Sequence, residues 1–168
     1  VSDIRGSLLA FTAPTSNSGF KAASSILKTD FGLVKQRDFK FTFSGRHDSS
    51  ILGVKNKLYP AASIADSVRK RMLKRGLVQE EDITVIYESE EFPNTGFGYA
   101  YNLKPSLVAA IKKAFRTFEW DKPDGSPSSL KAEFQSSGYT QFIPINYKKD
   151  WSIIRTIDRA NNISYSCR

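Results

Sequence analysis

Two polar stretches hold the side chains best suited to gripping an oxyanion: Ala13-Pro14-Thr15-Ser16-Asn17-Ser18-Gly19 and Ser44-Gly45-Arg46-His47-Asp48-Ser49-Ser50. Ser16, Asn17 and Ser18 supply short donors, and Gly19 lets backbone come close to a ligand. A tetrahedral anion accepts several such bonds, each worth about 1.5–3 kcal/mol when the acceptor is charged. Ser and Asn at these places also cap helices with no ligand present, so the first stretch alone fits either role. The second adds Arg46 and His47, the only histidine of the chain. An imidazole beside an oxyanion donates from a ring nitrogen and, once protonated, adds charge. The alternative there is a surface histidine next to an Asp48 cap.

Other chemistry is poorly provided for. With one histidine and one cysteine, Cys167, one residue from the end, no nucleophile has an evident base, and there is no G-x-S-x-G elbow. No G-x-x-x-x-G-K-[ST] loop occurs, and no Lys follows Asn17-Ser18-Gly19 in that register. Glu80, Glu81, Asp82, Glu88, Glu90 and Glu91 flank a strand pattern and fit solvated ends better than a metal site. A binding protein is therefore expected, with no catalytic residue, no metal and no cofactor.

The elements that must position the two stretches can be read from hydrophobic period. Leu8-Leu9-Ala10-Phe11-Thr12 and Phe39-Lys40-Phe41-Thr42-Phe43 are β-like runs immediately before them. Strands are expected at 7–12, 39–43, 60–64, 82–87, 97–101 and 141–145, and helices at 18–28, 48–57, 66–76, 105–118, 127–136 and 149–160. Asn17 or Ser18, Asp48 and Asp66 are candidate caps, Pro105 suits a first helical turn, and Gly76 suits a helix end. Alternation of this kind predicts an α/β fold with a largely parallel sheet. Open α/β sheets hold ligands at the carboxyl ends of their strands, which is where both polar stretches fall.

At 168 residues, 40% hydrophobic and 25% charged, the chain suits one sizeable core or two small lobes. Phe92-Pro93-Asn94-Thr95-Gly96 reads as a crossover, dividing the chain into residues 1–95 and 96–168. The later part offers only two strands, whose open edges call for completion by a preceding segment absent from this chain. No run approaches the roughly 18 apolar residues of a membrane span, and no secretory signal is visible. The lone Cys167 excludes an internal disulfide and a cysteine-based zinc site. The net charge of +8 is spread, +3 over residues 1–95 and +5 over 96–168. Its one cluster, Arg69-Lys70-Arg71 with Lys74 and Arg75, reads as a solvated helix face, the alternative being contact with an acidic partner such as nucleic acid.

The polar stretches, with their flanks Phe11-Thr12-Ala13-Pro14 and Ile51-Leu52-Gly53-Val54, resemble the phosphate, phosphite and phosphonate-binding proteins of ABC transporters, the PhnD-like group of type II periplasmic binding proteins. The likeness continues collinearly through Ala61-Ala62, Asp66-Ser67-Val68, Ile83-Thr84-Val85-Ile86-Tyr87, Asn102-Leu103-Lys104-Pro105, and Gly138-Tyr139 with Phe142-Ile143-Pro144-Ile145. It implies a type II periplasmic-binding-protein fold: one complete α/β lobe, residues 1–95, carrying the anion loops, and the C-terminal part of a second, residues 96–168. It also implies a solute receptor that closes over a phosphonate, phosphite or phosphate in an interlobe cleft, served by permease subunits in a periplasmic or otherwise extracytoplasmic location. A sensing domain built on the same lobes, or a basic nucleic-acid-binding α/β domain, are the competing readings.

By that resemblance Ser16, Ser18 and His47 contact the anion, Asn17 stands where the family usually has Thr, and Gly19 completes the loop. Ser67 and Thr95 occupy positions where members that bind aminoalkyl phosphonates carry carboxylates. A buried ammonium without a counter-ion is costly, so an amine-bearing ligand is not expected. Arg46 departs from the family's small or polar residue and either contacts the anion or points outward.

Overall fold

A computed structural model of the chain describes residues 1–91, 93, 96–118, 121, 124–136, 139 and 141–163, the side chains of residues 129, 132 and 136 excepted. Three short parallel strands form its sheet in the order β2-β1-β3: β1 is Leu8–Phe11, β2 Lys40–Phe43 and β3 Ala61–Ala62. Leu8 pairs with Lys40 and Phe11 with Phe43, while Leu9 and Ala10 pair with Ala61 and Ala62. As the central strand, β1 is covered on both faces. Its Leu9, Ala10 and Phe11 are buried, as expected for a continuous apolar run rather than an alternating one.

The helices follow the predicted pattern. α1 is π-wound over Asn17–Ala22 and α-helical over Ala23–Thr29, α2 is His47–Lys55 and α3 is Asp66–Lys74. Later come α4 (Pro105–Arg116, with Pro at the first turn), α5 (Ser129–Ser136), α6 (Tyr147–Asp150) and α7 (Ser152–Ala160). The expected helix at 149–160 is thus broken at Trp151. Gly76 follows α3 with φ +66°, a left-handed end that glycine adopts freely. The capping differs from expectation at three starts. Ser16, not Asn17 or Ser18, caps α1, its Oγ accepting from the Gly19 N–H at 3.0 Å. Arg46 and Ala65 precede α2 and α3, so Asp48 and Asp66 lie in first turns, where a carboxylate favours the helix dipole without capping.

The segments 82–87, 97–101 and 141–145 form no strands. Their residue types suit a pleated surface, but a strand exists only in a ladder, and no neighbour offers one among the described residues. Val85, Ile86, Tyr101 and Ile143 are exposed accordingly.

The chain divides into two compact units, Val1–Glu91 with Ser152–Arg168, and Phe92–Trp151. The first unit holds two apolar clusters. Leu9, Phe11, Leu27, Leu33 and Phe39 fill one, where the Phe11 and Phe20 rings meet edge to face at 5.0 Å. Ile51, Met72 and Val78 fill the other, joining α2 to α3. α7, expected from sequence in the 96–168 lobe, belongs to this unit and packs on the π-wound turn of α1. The second unit gathers the rings of Phe97, Phe115, Phe118 and Phe134 around Phe142, with centroids 5.0–5.9 Å from it. No described helix is long and apolar enough to cross a membrane.

Candidate functional site

The ends of β1 and β2 are fastened side by side. Beyond the last strand pair, the Ser44 N–H donates to the Phe11 carbonyl at 2.8 Å and the Gly45 N–H to the Thr12 carbonyl at 2.8 Å. This continuation of the ladder carries both polar stretches to the same edge of the sheet. Gly45 then turns with φ +90°, a conformation that disfavours any side chain, and α2 starts two residues later. The Ser44 and Ser50 hydroxyls lie 2.5 Å apart and tie the turn to the helix it precedes.

At this edge an open pocket of about 310 Å³ is lined from three directions. Thr12, Ala13 and Ser16 come from the end of β1 and the loop after it. Gly45, Arg46, His47 and Asp48 come from the β2–α2 turn, and Val68 and Arg71 from α3. Of the residues anticipated from sequence, Ser16, Arg46 and His47 line it. Asn17, Ser18, Gly19 and Ser67 do not, and Thr95 lies outside the described residues, as does Cys167. Ser18 sits nearby with its carbonyl accepting from the Ser63 hydroxyl at 3.1 Å. Gly19 is buried over Thr12: a Cβ there would stand 2.0 Å from Thr12 Oγ1, so packing alone demands glycine.

His47 is half-buried, and its Nδ1 accepts the Ala65 N–H at 3.0 Å. Nδ1 is therefore unprotonated and the proton of the neutral ring resides on Nε2. Burial pushes the imidazole below its usual pKa; Asp48 opposes this and Arg71 reinforces it. The site thus offers a neutral donor flanked by guanidinium charge.

Two lining residues escaped the sequence reading. Thr12, at the end of β1, reads as part of its strand, yet its Oγ1 is buried with no hydrogen-bond partner among the described residues. Arg71 was counted in the basic run of α3. Within that run Arg69 pairs with Glu80 and Lys70 with Asp66, as a solvated face would. Arg71 makes no such pair among the described residues, and its place one turn after Ser67 was the available clue. Among the described residues no cluster of His, Cys, Asp or Glu could hold a metal ion.

A parallel α/β sheet with loops gathered around a polar pocket at its carboxyl edge has the arrangement in which open α/β domains take small ligands. The family model described as ABC transporter, phosphonate, periplasmic substrate-binding protein matches residues 1–151, and the chain belongs to that family. Membership implies a small ligand, permease partners and an extracytoplasmic location, and the family is one of transport receptors rather than enzymes.

Proposed function

We propose that this chain is the solute-binding component of an importer and captures a phosphonate, phosphite or phosphate-type oxyanion at the β1–α1 and β2–α2 loops. The observation that carries the reading is the shared lining of one pocket by Ser16 from the first loop and by Gly45, Arg46 and His47 from the second. Reversible capture requires no bond chemistry. His47 donates to the anion from Nε2, Ser16 and the free backbone N–H groups of the loops supply further donors, and Arg46 adds charge. Asn17, Ser18 and Gly19 shape the first loop and come within reach of the anion as it orders. By the family resemblance Ser67 and Thr95 stand where amine-binding members carry carboxylates, and their lack of charge disfavours an amine-bearing ligand.

In the same reading the chain has a type II periplasmic-binding-protein fold. Residues 1–95, joined by α7, form the lobe with the anion loops, and the rest of residues 96–168 form part of a second lobe.

Calorimetric titration of the purified protein with phosphate, phosphite and methylphosphonate tests this, with sulfate as a competitor of the same shape. Binding of at least one of the three, weakened at least tenfold by both Ser16→Ala and His47→Ala, is the expected result. Absence of binding to all three, or binding indifferent to both substitutions, overturns it.

A further inference from the structure

Two arginines line the pocket. Arg46 lines it from the β2–α2 turn and Arg71 from the second turn of α3, two different elements. Neither forms an ion pair with a carboxylate among the described residues, whereas Arg69 and Lys70, which neighbour Arg71 on α3, both do. Asp48 is the one acidic residue of the lining, and one of its oxygens, Oδ1, accepts the Ser49 N–H at 3.0 Å. Arg71 is half-buried beside His47, close enough to disfavour a charged imidazole. Among the described residues this guanidinium has no paired carboxylate, and its planar fork matches a carboxylate or a second phosphonate bidentately.

We propose that Arg71 is a specificity-determining residue that selects phosphonates bearing a second acidic group, such as a phosphonocarboxylate. This rests on the oxyanion reading above and adds the chemistry of the ligand's other end. The first acidic group occupies the loops around Ser16 and His47, and the second lies toward α3 against Arg71. Val68, on the same helix, also lines the pocket and suits a short apolar linker. An ammonium group at that end meets a cation where it needs an anion and is rejected.

The test is calorimetric titration of the full chain with methylphosphonate, phosphonoacetate and 2-aminoethylphosphonate, repeated with Arg71→Gln and Arg71→Lys. Phosphonoacetate is expected to bind about tenfold more tightly than methylphosphonate, the ratio set by one charge-assisted contact, with 2-aminoethylphosphonate weakest. Arg71→Gln is expected to lower phosphonoacetate affinity about tenfold more than methylphosphonate affinity, and Arg71→Lys to restore part of the difference. Thermal melts of both variants establish that they fold. Equal affinity for phosphonoacetate and methylphosphonate, or a preference that survives Arg71→Gln, overturns the assignment of Arg71 and leaves the oxyanion reading standing. Failure of the unaltered protein to bind any of the three ligands, or phosphate and phosphite, overturns both.

Discussion

The backbone N–H of Ala65 donates to Nδ1 of His47 across 3.0 Å, joining the residue before α3 to the first residue of α2. One bond thereby fixes a tautomer, an orientation of the ring and the spacing of two helix starts that face the same pocket. Since the chain has a single histidine, its imidazole nitrogens give an unambiguous NMR signature. At pH 8 the spectrum is expected to show the proton on Nε2 and a nonprotonated Nδ1. A proton on Nδ1 contradicts the geometry and removes the donor assigned to the anion.

The same bond has a consequence for pH. Burial holds the folded pKa of His47 below the ordinary 6.5, so between those values the unfolded chain binds more protons than the folded one. Stability attributable to this residue is therefore fully present above about pH 6.5 and is lost as pH falls through the lowered folded pKa. Protonating Nδ1 also sets a donor against the Ala65 N–H. Urea denaturation across pH 5–8 is expected to show a decline on the acid side that is absent in His47→Gln. An equal slope in both proteins sinks the prediction.

A second acid-sensitive link lies at the opposite end of the strands. Asp38 accepts the Val34 N–H at 2.8 Å and pairs with Arg37 at 2.7 Å and with Arg5, which lowers its carboxyl pKa to about 2. Its backbone carbonyl also accepts the Gly6 N–H at 2.7 Å, so the turns leading into β1 and β2 meet here. A depressed acid contributes stability that is present above its unfolded pKa of 3.8 and is lost as pH falls toward about 2. Asp38→Asn is expected to flatten the stability profile between those values. A profile indistinguishable from that of the unaltered protein counts against the role of this carboxylate.

Gly19 and Thr12 form a contact that tolerates no added atom. A Cβ on Gly19 falls 2.0 Å from Thr12 Oγ1 and 2.6 Å from its Cγ2, both on a buried side chain. Gly19→Ala is expected to destabilise the fold by about 1–3 kcal/mol through overpacking. Combining it with Thr12→Ala, which vacates the space, is expected to recover part of that loss in a double-mutant cycle. Strict additivity of the two changes is the outcome that denies the contact.

How much of this was legible in the sequence depended on whether the signal was local. β1 and β2 announced themselves as apolar runs, and each of the six expected helices exists because its period, and often its first or last residue, is a property of neighbouring positions. The segments 82–87, 97–101 and 141–145 carry the same β-favouring residues and form no strands, because pairing depends on a second segment that no local pattern reports. The pocket followed the same division. Ser16, Arg46 and His47 stand at strand-to-helix turns and could be found from spacing alone. Arg71 could not be told from Arg69 and Lys70 until the partners of all three were known, since only Glu80 and Asp66 distinguish a neutralised face from an open one. Thr12 gave no signal, because an unsatisfied hydroxyl is visible only once its surroundings are.

The last helix lies outside the segment matched by the family model and yet is bound into the unit that carries the pocket. Its Ile154 and Ile157 are buried, and Asp158 meets Lys21 at 3.3 Å with both side chains about nine-tenths buried. Asn161 adds a bond to the Lys21 carbonyl at 3.0 Å. Lys21 belongs to the π-wound turn that begins right after Ser16, so α7 braces the loop from behind. Asp158→Ala removes one charge of a buried ion pair and is expected to cost up to about 3–5 kcal/mol. Replacing both by apolar residues of similar size, Lys21→Met with Asp158→Leu, is expected to be milder, since both charges of the pair are then removed together. Chemical denaturation of the two variants decides the matter, and a double variant as unstable as the single one shows that the pair's geometry, not its charge balance, holds α7 in place.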